Sequence, residues 1–148
     1  MKKTMAAAFL TAAIGLSGCS LLEDVSSTVT YVSEATEYAN EAQDFANEVP
    51  ALAERAVTDP QAAADLKVQL EDMRQNIEEF NALEEPAVGG QLHEQAINLN
   101  ERALEGIDLY LTNIEDGTLA PEVIENTEIF RTLSEVGRIV NQIQALSE

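Results

Sequence analysis

Glu34-Ala35-Thr36-Glu37-Tyr38-Ala39-Asn40 is followed directly by Glu41-Ala42-Gln43-Asp44-Phe45-Ala46-Asn47. The two units match at a period of seven, and Tyr31 extends the series, so Tyr31, Tyr38 and Phe45 share one edge of a helix. The alanines form a seam that lets a neighbouring helix approach closely, and the aromatic rings cover its flank. A seven-residue period implies left-handed supercoiled packing. Two units are too few for an extended coiled coil, so the period points to a bundle.

The same spacing continues outward. Leu22, Val25, Val29, Val32, Ala35, Ala39, Ala42, Ala46 and Val49 recur at three- and four-residue steps, a helical stripe. Pro50 is expected to interrupt it, leaving Ala51 to Val57 as a further short stretch. Thr58-Asp59-Pro60-Gln61 reads as a helix start, with Thr58 or Asp59 capping and Pro60 in the first turn. Leu66, Leu70, Met73, Ile77 and Phe80 form the second stripe, which ends near Leu83. Glu84 to Gly90 holds Pro86, Gly89 and Gly90 and reads as a loop, either a plain connection or a binding tip facing away from a membrane.

A third helix is expected from about Gln91 to Glu115. It carries Ala96, Leu99, Ala103 and Tyr110 on one edge and Ile97, Leu104, Ile107, Leu111 and Ile114 on the next, with Gly117 as its C-terminal cap. Pro121 is expected to open the last helix, which presents Ile124, Ile129, Leu133, Val136, Val140, Ile143 and Leu146. No alternating run reads as a strand. The fold class is therefore all-α, an antiparallel up-down-up-down four-helix bundle following an N-terminal signal segment. Paired helical hairpins are the nearest alternative.

The segment ahead of the stripes has a different character. Lys2 and Lys3 precede an apolar run from Met5 to Leu16, which ends in Leu16-Ser17-Gly18-Cys19. This run of about a dozen residues is too short to span a bilayer, which takes roughly 20. Small residues beside a cut site are the mark of an export signal. The segment resembles bacterial lipoprotein signals, which are cut just before a cysteine whose sulfur receives a diacylglycerol. Cys19 is the single cysteine of the chain, and lipidation accounts for an exported thiol that has no disulfide partner. Cleavage between Gly18 and Cys19 would leave residues 1–18 as signal peptide, 19–24 as a lipid-anchored tether and 25–148 as one bundle domain. The expected location is the outer face of the cell membrane, and two acyl chains supply the double anchor that stable attachment needs.

The whole chain carries 27 acidic and 8 basic residues, a formal net charge of −19. Without Lys2 and Lys3, only six bases remain, and Lys67 is the one lysine among them. Such a surface repels nucleic acid and anionic lipid. Because the acids run along the whole chain, they read first as solvated faces. The functional alternative is capture of cations or of a basic partner.

The usual catalytic constellations are missing. His93 is the single histidine. His93-Glu94-Gln95-Ala96-Ile97 begins like a zinc-protease helix motif but has Ile97 at the second ligand position. Di-iron bundles need two Glu-x-x-His units. With no second histidine, His93 is expected to be solvated beside the Gly89-Gly90 turn. No serine stands in a Gly-x-Ser-x-Gly elbow, and no phosphate loop or calcium loop is present. Glu71-Asp72, Glu78-Glu79 and Glu84-Glu85 point about 100° apart on a helix and do not converge. The chain therefore reads as a non-enzyme without a metal or cofactor, apart from the diacylglycerol on Cys19. Tyr31, Tyr38 and Phe45 form either the flank of the core or an open strip for a partner.

Over nearly its full length the chain resembles a family of small lipoproteins of Gram-positive, spore-forming bacilli, a domain of unknown function. The resemblance rests on Leu16-Ser17-Gly18-Cys19-Ser20-Leu21-Leu22, Tyr31-Val32-Ser33-Glu34-Ala35-Thr36, Ile77-Glu78-Glu79-Phe80-Asn81 and Pro121-Glu122-Val123-Ile124-Glu125-Asn126-Thr127-Glu128-Ile129. It implies a helical, membrane-anchored protein and brings no active-site residue with it. The function expected is an envelope interaction or accessory module with an envelope protein as partner. Low-affinity binding of cations or small cationic ligands is the alternative. Partner identity and oligomeric state stay open.

Overall fold

The computed structural model describes the chain from Cys19 to Ser147, and its side chains from Val29 to Leu146. Four α-helices carry the fold: α1 (Cys19–Ala56), α2 (Pro60–Asn81), α3 (Gly90–Thr112) and α4 (Glu128–Ser147). A two-stranded hairpin, β1 (Ile114–Glu115) and β2 (Thr118–Leu119), and a 3-10 turn at Pro121–Glu125 lie between α3 and α4. α1 packs along both α2 and α4, and α3 closes the bundle against α4 and, more lightly, against α2. This is the expected all-α bundle.

Each helix buries one face. On α2 the buried residues are Ala62, Ala63, Leu66, Leu70, Met73, Ile77 and Phe80. On α4 they include Ile129, Leu133, Val136, Val140 and Ile143. α1 contributes mostly alanine: Ala35, Ala39 and Ala42 are fully buried. That small seam brings α4 so close that a Cβ on Gly137 would lie 2.7 Å from Gln43 Cγ and 3.0 Å from the Ala39 carbonyl oxygen. Val29 and Leu146, both members of the expected stripes, stay exposed.

Local chemistry sets the boundaries. Asp59 caps α2, its side chain accepting from the Gln61 N–H at 2.9 Å, with Pro60 in the first turn as expected. Pro50, by contrast, does not interrupt α1. Its missing N–H and ring clash cost about 3 kcal/mol in a helix interior. Val49, Ala53 and Ala56 are all buried around it, and their packing holds the helix through the proline.

Two other expectations are corrected between α3 and α4. Gly117 does not cap α3. It forms a two-residue hairpin turn with Asp116, at φ 83° and 50° respectively, between the paired residues Glu115 and Thr118. Positive φ at both positions is the geometry that Asp-Gly favours in tight hairpins. Pro121 opens the 3-10 turn, not α4. Asn126, at ψ 86°, breaks the chain after it and accepts the Glu128 N–H through its side chain. The short turn buries Val123, while Ile124 is only half-buried.

Tyr31 contacts both Phe80 and His93, so the loop between α2 and α3 lies at the end of the bundle where α1 enters. The Thr58-Asp59 turn and the hairpin occupy the other end. Gly89, at φ 88°, takes the left-handed conformation that starts α3.

Gly137→Val should lower unfolding free energy by about 2 kcal/mol through overpacking of the α1–α4 seam. Chemical denaturation of the variant beside wild type checks this.

Candidate functional site

α1 and α3 run in the same direction on opposite sides of the bundle, and a polar chain joins them through the core. The Tyr31 hydroxyl lies 2.9 Å from His93 Nδ1. One heptad further on both helices, the Tyr38 hydroxyl donates to Asn100 Oδ1. Asn100 Nδ2 in turn donates to Asn81 Oδ1 at 2.8 Å, which brings in the last residue of α2. The Tyr38 ring stacks on Phe80 at 4.6 Å between centroids. Phe45 meets Phe130 of α4.

These positions correct two expectations. His93 is buried at 3 % exposure, not solvated. It occupies the inward seam of α3, where His93, Ala96, Asn100, Ala103, Ile107 and Tyr110 recur at steps of three and four. Tyr31, Tyr38 and Phe45 are likewise buried, at 5, 4 and 4 %. Their rings fill the space beside the alanine seam and are not an open strip. Burial pushes the Tyr31 hydroxyl up to about 12 and holds Tyr38 and Tyr110 above the usual phenol range. Burial also pushes His93 below its ordinary value, against the opposing pull of Glu85 and Glu94. The result is a neutral, hydrogen-bonded histidine inside the bundle. Of the lipidation and cleavage residues, Gly18 lies outside the described residues. Cys19 is described only as the first residue of α1.

Surface cavities lie along several helix seams: about 570 Å³ between α1 and α4 beside Gln43 and Arg138, about 420 Å³ between α3 and α4 beside Gly106, and two more between α1 and α2. Two adjoining cavities of about 420 and 500 Å³ share Glu41 and Asn76. Together they run from Glu34 to Arg55 on α1. Phe45, Val49 and Met73 line the first with half-buried Leu52, and Tyr38 and Phe80 line the second with half-buried Leu83. The α1 rim carries Glu34, Glu37, Glu41, Asp44 and Glu48, and the α2 rim carries Gln69, Asp72, Asn76 and Glu79. Both rims step by threes and fours. The signal was present in the repeat itself, whose first and fourth positions are acidic in both units.

Ion pairing leaves these rims alone. The three ion pairs among the described residues are Lys67–Glu71, Arg74–Asp108 and Arg138–Glu135, none of which involves a groove carboxylate. Glu41 sits above its ordinary value, through partial burial and then through the charges of Glu37 and Glu79. Among the described residues no group of three or more His, Cys, Asp or Glu side chains is placed to hold a metal ion. The carboxylates therefore form a row along a groove instead of converging on a point.

The model of a family of unknown function, DUF6376, matches residues 31–146, nearly the whole bundle. The chain belongs to this family. It is also similar to the uncharacterized lipoprotein YybP of Bacillus subtilis strain 168, with 30 % identity over 140 residues, covering 93 % of this chain and 95 % of the relative. No solved structure matches. No helix among the described residues is long and apolar enough to cross a membrane.

Tyr38→Phe removes the donor to Asn100 and should cost about 1–2 kcal/mol of stability, read from chemical denaturation. His93 gives a pH test. Its folded value lies below its unfolded value, so the unfolded chain binds the proton more readily, and the fold loses stability as pH falls below about 6.5. The stability of wild type relative to His93→Gln should therefore decrease between about pH 7 and about pH 5.

Proposed function

We propose that this chain is a non-catalytic, lipid-anchored interaction module on the outer face of the cell membrane, serving an envelope protein. Leu16-Ser17-Gly18-Cys19 carries the reading, because it ends at the first residue of α1. Cleavage after Gly18 and diacylglycerol on Cys19 would attach the bundle through its longest helix. The similarity to a protein named as a lipoprotein supports the anchor. The interaction role draws on a core whose polar groups are all committed to one another: no buried side-chain nitrogen or oxygen among the described residues lacks a partner. Binding chemistry then falls to the exterior.

A second reading is low-affinity binding of cations or small cationic ligands at the membrane surface. The groove carboxylates between α1 and α2, none of them in an ion pair among the described residues, favour it. Calorimetric titration with calcium and magnesium tests it, and heat no greater than nonspecific screening, without a gain in melting temperature, removes it.

The leading reading is tested by isolating the tagged chain from native membranes in mild detergent, with Cys19→Ala as the unanchored control. Wild type should partition with membranes, incorporate labelled fatty acid and retain a discrete envelope protein. Cys19→Ala should lose the label and the membrane fraction. A wild-type chain that carries no lipid overturns the anchor, and one that returns alone overturns the module.

A further inference from the structure

The two ends of the bundle are finished differently. At the end away from Cys19, the excursion between α3 and α4 closes over the helix termini. Leu119 of the hairpin and Val123 of the 3-10 turn are buried there, and Val57, Ile114 and Ile124 are half-buried. The hairpin turn reaches the start of α2, where a Cβ added to Gly117 would lie 3.8 Å from Pro60 Cβ. The end that α1 enters has no such cover. Among the described residues, four large apolar side chains stand more than half exposed: Val29, Val68, Val88 and Leu146. Three of them, Val29, Val88 and Leu146 at 65, 51 and 56 %, belong to this end.

Contacts across three elements place them there. Val29 stands two residues before Tyr31, whose hydroxyl lies 2.9 Å from His93 in the first turn of α3. Val88 precedes Gly89, where an added Cβ would meet Ile143 Cγ2 of α4 at 3.3 Å. Leu146 follows Ile143 by less than one turn, at the close of α4. Val32, Leu83 and Leu92 lie half-buried at the same end. Single exposed valines are ordinary on a protein surface, and Val68, midway along α2, is one. Three apolar side chains drawn from α1, the α2–α3 loop and α4 onto one end form a platform. Its charge does not favour an anionic partner. Glu84 and Glu85 are exposed in the same loop, and no lysine or arginine stands in that loop or in the last turns of α2 and α4.

We propose that this open end is a second membrane contact, an apolar platform through which Val29, Val88 and Leu146 rest on lipid beside the anchor. The proposal rests on the anchor reading. Continuity comes from α1, because one helix runs from Cys19 to Val29, about 15 Å at 1.5 Å per residue. The headgroup layer of one leaflet is about 5–8 Å deep. A fully upright α1 would carry the platform past that layer, so contact sets α1 at a lean toward the surface. Lipid suits this end better than a second copy does. Two copies would bring Glu84 and Glu85 of each against the other, whereas zwitterionic headgroups carry no net charge. The contact is the hydrophobic half of interfacial attachment, without the basic residues that often accompany it. It would fix the orientation of the bundle, which a diacylglycerol on one residue leaves free.

The sequence contains no tryptophan, so a single introduced tryptophan reports on a single position. The chain isolated from native membranes is placed in discs of phosphatidylcholine as Val88→Trp, Leu146→Trp or Val68→Trp. Acyl chains brominated near the headgroup quench a tryptophan that reaches them. Emission from Val88→Trp and Leu146→Trp should shift to the blue and fall about twofold on bromination, while Val68→Trp should stay unquenched. Replacing part of the phosphatidylcholine with phosphatidylglycerol should weaken the quenching, because Glu84 and Glu85 are then repelled. Melting curves that match wild type show that these surface variants have folded. Unquenched emission at both reporter positions, or equal quenching at Val68, would overturn the proposal. So would a blue shift without quenching, which puts protein and not lipid over the end. The mass of the same chain separates this contact from the anchor. A chain that carries diacylglycerol and is not quenched removes the platform alone. A chain that carries none removes the anchor and the platform with it.

Discussion

Two tyrosine hydroxyls hold the register of this bundle. Tyr31 and Tyr38 reach from α1 through the core to His93 and Asn100 of α3, and both pairs are separated by 62 residues. A shift of either helix along its axis would break both contacts at once. Each break would leave a polar group buried without a partner, a cost of about 1–3 kcal/mol apiece. Alanine seams alone would tolerate sliding, because successive alanines offer nearly identical surfaces. The polar chain supplies the discrimination that the small seam lacks, and Asn81 extends it to α2. Buried polar residues that select register at some cost in stability are well attested in helical assemblies.

That arrangement explains which parts of the fold were legible in the sequence. The α2 and α4 stripes were readable because leucine, isoleucine, valine, methionine and phenylalanine mark their inward faces. The inward face of α3 was misjudged by one edge. Its seam includes His93 and Asn100, and a search for apolar residues passes over both. Leu99, Ile97 and Leu104, which look like core, lie half-buried on the flank instead. Polar residues become part of a core only when partners from another helix face them, and sequence spacing on one helix cannot show that. Pro50 was misread for a related reason. Local backbone cost argues for a break, and only the tertiary packing of Val49, Ala53 and Ala56 outweighs it.

The groove followed a different logic. The seven-residue repeat that announces the helix also contains the acidic rim, in the same letters. What the sequence could not supply was the neighbour. Asp72 and Glu79 belong to a helix whose own pattern reads as an ordinary solvated face. Once α2 lies antiparallel to α1, two unremarkable faces become opposite walls of one channel. Tyr38 lies beneath both: its hydroxyl donates to Asn100, and its buried ring packs under the groove between the two acidic rims.

The length of α1 has a consequence for where that channel works. At 38 residues it is far longer than its neighbours of 20 to 23. Along the helix axis Glu34 lies about 22 Å from Cys19 and Glu48 about 44 Å, at 1.5 Å per residue. The range of electrostatic influence at physiological salt is about 8 Å. On an upright α1 rooted at Cys19, the acidic rims would stand beyond the reach of headgroup charge.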